Sequence, residues 1–87
     1  MINRESFKLS IIIPCFNEKK TIEDILRKVK QSLKNYKFSN FEIIIVDDSS
    51  NDGTKDVLKK LLHEEKIQIY FHENNFGKGA AIHTALK

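Results

Sequence analysis

Apolar residues in this chain gather into three short β-branched runs separated by two periodic stretches. Leu9 to Pro14 reads LSIIIP, which predicts a strand closed by proline. From Thr21 onward, Ile22, Ile25, Leu26, Val29 and Leu33 recur at helical spacing with Lys and Glu between them, so one face of a helix is apolar and the other solvated. Thr21 followed by Asp24 resembles a capping box, and the polar stretch Asn35 to Asn40 predicts that this helix ends near Lys34. Phe41 to Asp47 reads FEIIIVD, a second strand whose unbroken apolar centre implies burial on both faces, as in a parallel sheet covered by helices. The turn Ser49 to Gly53 follows. Val57, Leu58, Leu61 and Leu62 then predict a helix over Thr54 to His63, and alternation over Ile67 to His72 predicts a third strand. Gly77-Lys78-Gly79 breaks the pattern before a last short helix, Ala80 to Lys87.

The order βαβαβα, without repeat or low-complexity tract, is that of an α/β domain with a parallel sheet and right-handed crossovers. At 87 residues there is room for one small domain, spanning 1–87, with a thin core. Hydrophobic residues at 40%, charged residues at 31%, three Gly and one Pro exclude a collagenous or disordered chain.

Charge narrows the partners only slightly. Fifteen Lys plus Arg against 12 Asp plus Glu give +3, a weak argument for anionic ligands. Arg4 and Arg27 are the two arginines, so the Arg-rich stripe of a nucleic-acid reader is absent and no nucleic-acid partner is expected. A lone Cys15 excludes an intrachain disulfide and fits a reducing compartment. The start, MINRESFKLSIII, lacks a signal-peptide core, and no run nears the roughly 18 apolar residues of a membrane span. A soluble, cytoplasmic chain is the expectation.

Ligands of open α/β sheets bind beyond the carboxyl ends of the strands. Three polar segments lie there: Pro14-Cys15-Phe16-Asn17-Glu18, Asp47-Asp48-Ser49-Ser50, and Asn74-Asn75-Phe76-Gly77-Lys78-Gly79. Neither G-x-G-x-x-G nor G-x-x-x-x-G-K-[ST] occurs, which disfavours a dinucleotide fold or a P-loop. Asp47 and Asp48 are acceptor-only groups suited to base N–H groups or ribose hydroxyls, and either could instead cap the turn ahead of the second helix. Gly77, Lys78 and Gly79 place a cation and bare backbone at a helix start, suited to phosphate, or simply break the chain. Phe16 reads as core or as a surface for a base or sugar, and Glu18 as a contact to a nucleotide hydroxyl or a cap. Cys15 reads as a small buried thiol, since no His lies near it in sequence to activate it. His63, His72 and His83 fall on separate elements without metal-ligand spacing. Lys28, Lys30 and Lys34 read as a solvated helix face.

Taken in order, SIIIPCFNE, IIIVDDSSNDGT and NFGKGAA resemble the nucleotide-binding half of family 2 glycosyltransferases with the GT-A fold, above all the polyprenyl-phosphate and dolichol-phosphate mannosyl- and glucosyltransferases. The resemblance covers Lys8 to Lys87. It implies that Pro14, Phe16 and Glu18 line a nucleotide pocket, that Asp48 of the Asp47-Asp48 pair contacts the base, and that Gly77, Lys78 and Gly79 lie near the nucleotide. It further implies a parent enzyme that transfers a hexose from a GDP- or UDP-sugar, such as GDP-mannose or UDP-glucose, to a polyprenyl phosphate at the cytoplasmic face of a membrane, with Mg²⁺ or Mn²⁺ on the diphosphate. The family's Asp-x-Asp metal element lies beyond the Gly-Lys-Gly helix, and no Asp follows Lys78 here. The expectation is therefore a truncated half-domain that holds no metal and has no catalytic residue of its own, the alternative being a non-catalytic nucleotide-binding or interaction module. With the family's strand order 3-2-1-4, strand 9–14 becomes an exposed edge open to self-association.

Overall fold

The computed structural model describes residues 8–73. Three parallel strands, β1 (Leu9–Cys15), β2 (Phe41–Asp48) and β3 (Ile67–His72), form one sheet in the order β1-β2-β3, with α1 (Ile22–Asn35) and α2 (Thr54–Lys59) as the crossovers. The order agrees with the expected 3-2-1 arrangement. The expected helix Ala80 to Lys87, and Gly77, Lys78 and Gly79 before it, lie outside the described residues.

Register sets which side chains share a face. Leu9 pairs with Phe41 and Cys15 with Asp47, while Ile43 pairs with Ile67 and Asp48 with His72. Because strand side chains alternate, Ile11, Ile13 and Cys15, Ile43 and Ile45, and Ile67 and Ile69 point to one face. Both helices bury their apolar sides there: Ile22, Leu26 and Val29 from α1 and Val57, Leu58 and Leu61 from α2 join that cluster. Two right-handed crossovers stepping the same way along a sheet put their helices on the same side. Ile44 and Val46 form a separate buried pair on the opposite face, so β2 is buried on both faces as its composition implies. The two described helices nonetheless cover only one of them.

Local details depart from expectation in two places. Thr21 is the residue before α1, yet its side chain makes no cap hydrogen bond. Its hydroxyl donates to Glu18 Oε2 at 2.6 Å, and Asp24 pairs instead with Arg27 and with Lys28 at 3.1 Å. The first helical N–H groups are served from upstream, with the Glu18 carbonyl accepting from Thr21 N–H at 3.0 Å and Ile22 N–H at 2.8 Å. The second helix stops at Lys59, short of His63. Beyond it, Leu61 N–H reaches the Leu58 carbonyl at 2.9 Å and Leu62 N–H the Lys59 carbonyl at 3.4 Å, a tightened winding that leaves Leu62 at 55% exposure. The chain must return to β3 at Ile67, and burying Leu58 already satisfies this short crossover.

Candidate functional site

The carboxyl ends of the three strands bring Cys15, Asp48 and His72 into neighbouring positions, and the loops after them form one rim. Asp47 and Asp48 are 0% and 3% exposed, at the end of the central strand. Alternation sends these consecutive carboxylates to opposite faces, and each has found a different partner there.

Asp47 lies on the helix face and is occupied by the loop that follows it. Ser50 N–H donates to its Oδ2 at 3.1 Å and the Ser50 hydroxyl donates to its Oδ1. The same Ser50 oxygen accepts the N–H of Asn17 at 2.8 Å, and Asn17 Oδ1 accepts the N–H of Asn51 at 2.9 Å. A further tie runs from Lys19 N–H to Asp52 Oδ2 at 3.3 Å, while Asp52 Oδ1 accepts both the N–H (3.0 Å) and hydroxyl of Thr54. These Thr54 bonds lead the causes that hold the Asp52 carboxyl below the usual range. The loops after β1 and β2 are thus stitched together by side chains that imitate backbone partners. Asn17 and Ser49 adopt left-handed backbone, φ 52° and 62°, and Gly53 at φ 97° supplies the start of α2.

Asp48 lies on the other face, together with Pro14, which shares its strand-face parity on β1. The His72 imidazole stands beside it, Nδ1 at 3.1 Å from Asp48 Oδ1, with side chains only 12% and 5% exposed. Where that carboxylate is ionised it offers acceptors only, and the contact is a hydrogen bond in the tautomer that carries its proton on Nδ1. Above them the Ser49 hydroxyl donates to the Glu73 carbonyl at 3.1 Å, which ties the loop after β2 to the chain leaving β3.

The remaining sequence-derived candidates separate. Pro14 is half-buried, and Phe16 is 39% exposed, which removes it from the core as one of its two readings would have had it. Glu18 serves the start of α1 through its carbonyl and Thr21 through its carboxylate. It also lines a cleft with Asn17, Lys19, Lys20, Thr21 and Asp52. Cys15 is a buried thiol whose pKa is pushed up to about 12, first by burial and then by the charges of Asp47, Glu18 and Asp52. Such a thiol is a poor nucleophile. Gly77, Lys78 and Gly79 lie outside the described residues. Among the described residues no group of three or more His, Cys, Asp or Glu could hold a metal ion, and no helix is long and apolar enough to cross a membrane. Sequence reasoning missed the Asn17–Ser50–Asp47 relay and the His72 contact. Aligning the carboxyl ends of the second and third strands would have exposed the latter.

Residues 10–87 match the family model described as glycosyl transferase family 2. Among curated proteins, the chain is 38% identical over 72 residues to a GalNAc(5)-diNAcBac-PP-undecaprenol beta-1,3-glucosyltransferase of Campylobacter jejuni, which covers 83% of the chain and 22% of that protein. It is 30% identical over 84 residues to a dodecaprenyl-phosphate galacturonate synthase of Rhizobium johnstonii, covering 94% of the chain and 25% of the relative. The chain therefore spans about a quarter of the length of these relatives. Among solved structures, a mannosyltransferase from Pyrobaculum calidifontis in complex with GDP-Man and Mn²⁺ superimposes with a TM-score of 0.77 at 23% identity, over 93% of this chain and 24% of that one. The shared architecture is the GT-A-type parallel α/β sheet.

Proposed function

Since the chain belongs to glycosyl transferase family 2, we propose that it forms the nucleoside-binding half-domain of an enzyme that moves a hexose from a GDP- or UDP-sugar to a polyprenyl phosphate. The observation that carries this reading is the Asp48 carboxylate, 3% exposed at the carboxyl end of the central strand, on the sheet face away from both described helices. A carboxylate held there by a neighbouring imidazole is built to accept N–H groups from the edge of a base. Pro14 shares that face, and Phe16 in the next loop is exposed enough to lie against a base or ribose. Glu18 borders the adjoining cleft and would meet the sugar hydroxyls of the nucleotide. Asp47 acts as the internal pin that shapes the loop. Gly77, Lys78 and Gly79 would meet the diphosphate.

The acceptor class is drawn from the undecaprenol and dodecaprenyl-phosphate enzymes among the relatives, and the donor from the GDP-Man complex of the structural neighbour. A divalent cation, Mg²⁺ or Mn²⁺, would neutralise the leaving diphosphate. The described residues offer it no ligand cluster, so its ligands would come from elsewhere in the enzyme. What the described residues do is bind and orient the nucleoside.

Titration of the 87-residue chain with UDP and GDP, followed by amide NMR, tests this. The amides of Phe16, Glu18 and Asp48 should shift first, with Lys78 following. Asp48→Ala should weaken binding by roughly 1 to 3 kcal/mol for loss of a buried hydrogen bond. Shifts confined to Lys28, Lys30 and Lys34 would reject the site.

A further inference from the structure

Histidine 72 stands at a position where the register leaves it little choice of neighbour. It is the Cα partner of Asp48 in the β2–β3 ladder, and strand alternation points both side chains to the same face. Asp48 sits in an almost solvent-free position, and burying an ionised carboxylate without donors is costly enough that its orientation follows its partners. The Nδ1 contact at 3.1 Å, with His72 itself 12% exposed, supplies such a donor from a rigid strand. The Ser49–Glu73 bond, between the residues that follow Asp48 and His72, ties together the ends of the two strands that carry the pair. Asp47, one residue away, shows the contrast: its donors come from its own loop, so it is fixed without help from β3.

We propose that His72 is a positioning residue for nucleotide recognition: through its Nδ1–H it fixes the carboxylate of Asp48 in the orientation that accepts the N–H edge of the base. The inference rests on the base-binding reading of Asp48 given above. It assigns His72 no contact with the reacting atoms. Its action is to remove rotational freedom from a carboxylate before the ligand arrives, so that less ordering remains to be done on binding.

A double-mutant cycle on the 87-residue chain separates the possibilities, with UDP and GDP as the probes in calorimetric titrations. His72→Phe keeps a flat ring but removes the donor, and should weaken the better-bound nucleotide about five- to tenfold. His72→Asn places an amide N–H where Nδ1–H was, and should restore most of that affinity. In an Asp48→Ala background, His72→Phe should cause no further loss, because the group it orients is gone. Urea midpoints of the same variants report folding independently of binding, and a variant with lowered affinity but unlowered midpoint supports positioning. Two results overturn the inference alone: unchanged affinity in His72→Phe while Asp48→Ala loses it, or losses in the double variant that simply add. Unchanged affinity in Asp48→Ala, or no saturable binding of either nucleotide to the unaltered chain, removes the base-binding reading and the inference with it.

Discussion

Removing the Ser50 hydroxyl takes one donor from a carboxylate that is 0% exposed and takes the acceptor from the Asn17 N–H. The buried carboxylate has no water to replace the loss, so Ser50→Ala should cost about 1–3 kcal/mol, read as a lowered urea midpoint without a change in slope. Ser50→Thr keeps the hydroxyl and should cost less. Cys15 gives a second prediction at this scale, with a sign that burial determines. Its folded pKa is about 12 against an ordinary value of 9.0, so between these limits the unfolded chain has released a proton that the folded chain keeps. Stability from this group is complete below pH 9.0 and falls as pH rises toward 12. Thiol labelling at pH 8 should accordingly proceed at the rate of global opening, and should accelerate in proportion to the unfolded fraction when urea is added. Rapid labelling of the native chain would contradict the buried, protonated thiol.

At the level of elements, strands were the most legible part of the chain. The ends of β1 and β2 each lie one residue beyond the position that the β-branched runs imply, and β3 coincides with them. Those runs report burial directly, since a strand buried on both faces needs an uninterrupted apolar stretch. Helix ends are less legible because they depend on partners elsewhere: the Thr21 hydroxyl is drawn to Glu18, and α2 ends where packing of Leu58 and the return to β3 leave no further turn to gain. The pairing of Asp48 with His72 was hidden for the same reason, being created by register across a crossover. No local pattern encodes it. Gly53, by contrast, is required locally: at φ 97° any side chain is strained, and an added Cβ would sit 3.1 Å from Lys19 Cδ. The lysine tail can move aside, so Gly53→Ala should cost about 1 kcal/mol, mostly from the backbone, measurable as a drop in thermal midpoint. The β1 edge carries another prediction. Among the described residues β1 pairs with β2 alone, and its Ile11, Ile12 and Ile13 are only half-buried. Such an edge invites strand addition. Sedimentation across a concentration series should show self-association that Ile12→Lys diminishes, and a monomer at all concentrations would mean that this edge is covered.

For the whole molecule, binding and turnover make different demands. On the proposed reading the described residues offer acceptors to a nucleoside, Asp48 on its strand and Glu18 at the cleft, with an exposed Phe16 two residues before Glu18. Sugar transfer asks in addition for cations to neutralise a departing diphosphate and for a surface to hold the acceptor. Asp47, Asp48 and Asp52 are already engaged, with Ser50, with His72, and with Thr54 and Lys19, and no group of three or more His, Cys, Asp or Glu among the described residues could hold an ion. The chain also spans 22% of the Campylobacter glucosyltransferase and 24% of the Pyrobaculum mannosyltransferase, which leaves most of each relative to supply the remainder. The 87 residues by themselves should therefore bind UDP or GDP and transfer no sugar. Radiolabelled GDP-mannose and UDP-glucose, each offered with polyprenyl phosphate and Mn²⁺, should give lipid-soluble counts equal to a no-protein blank under conditions where calorimetry shows the nucleotide bound. Counts above the blank that vanish in Asp48→Ala would mean that the transfer machinery lies within these residues after all, with the nucleoside held as proposed; counts that survive that substitution would mean that the nucleotide sits elsewhere.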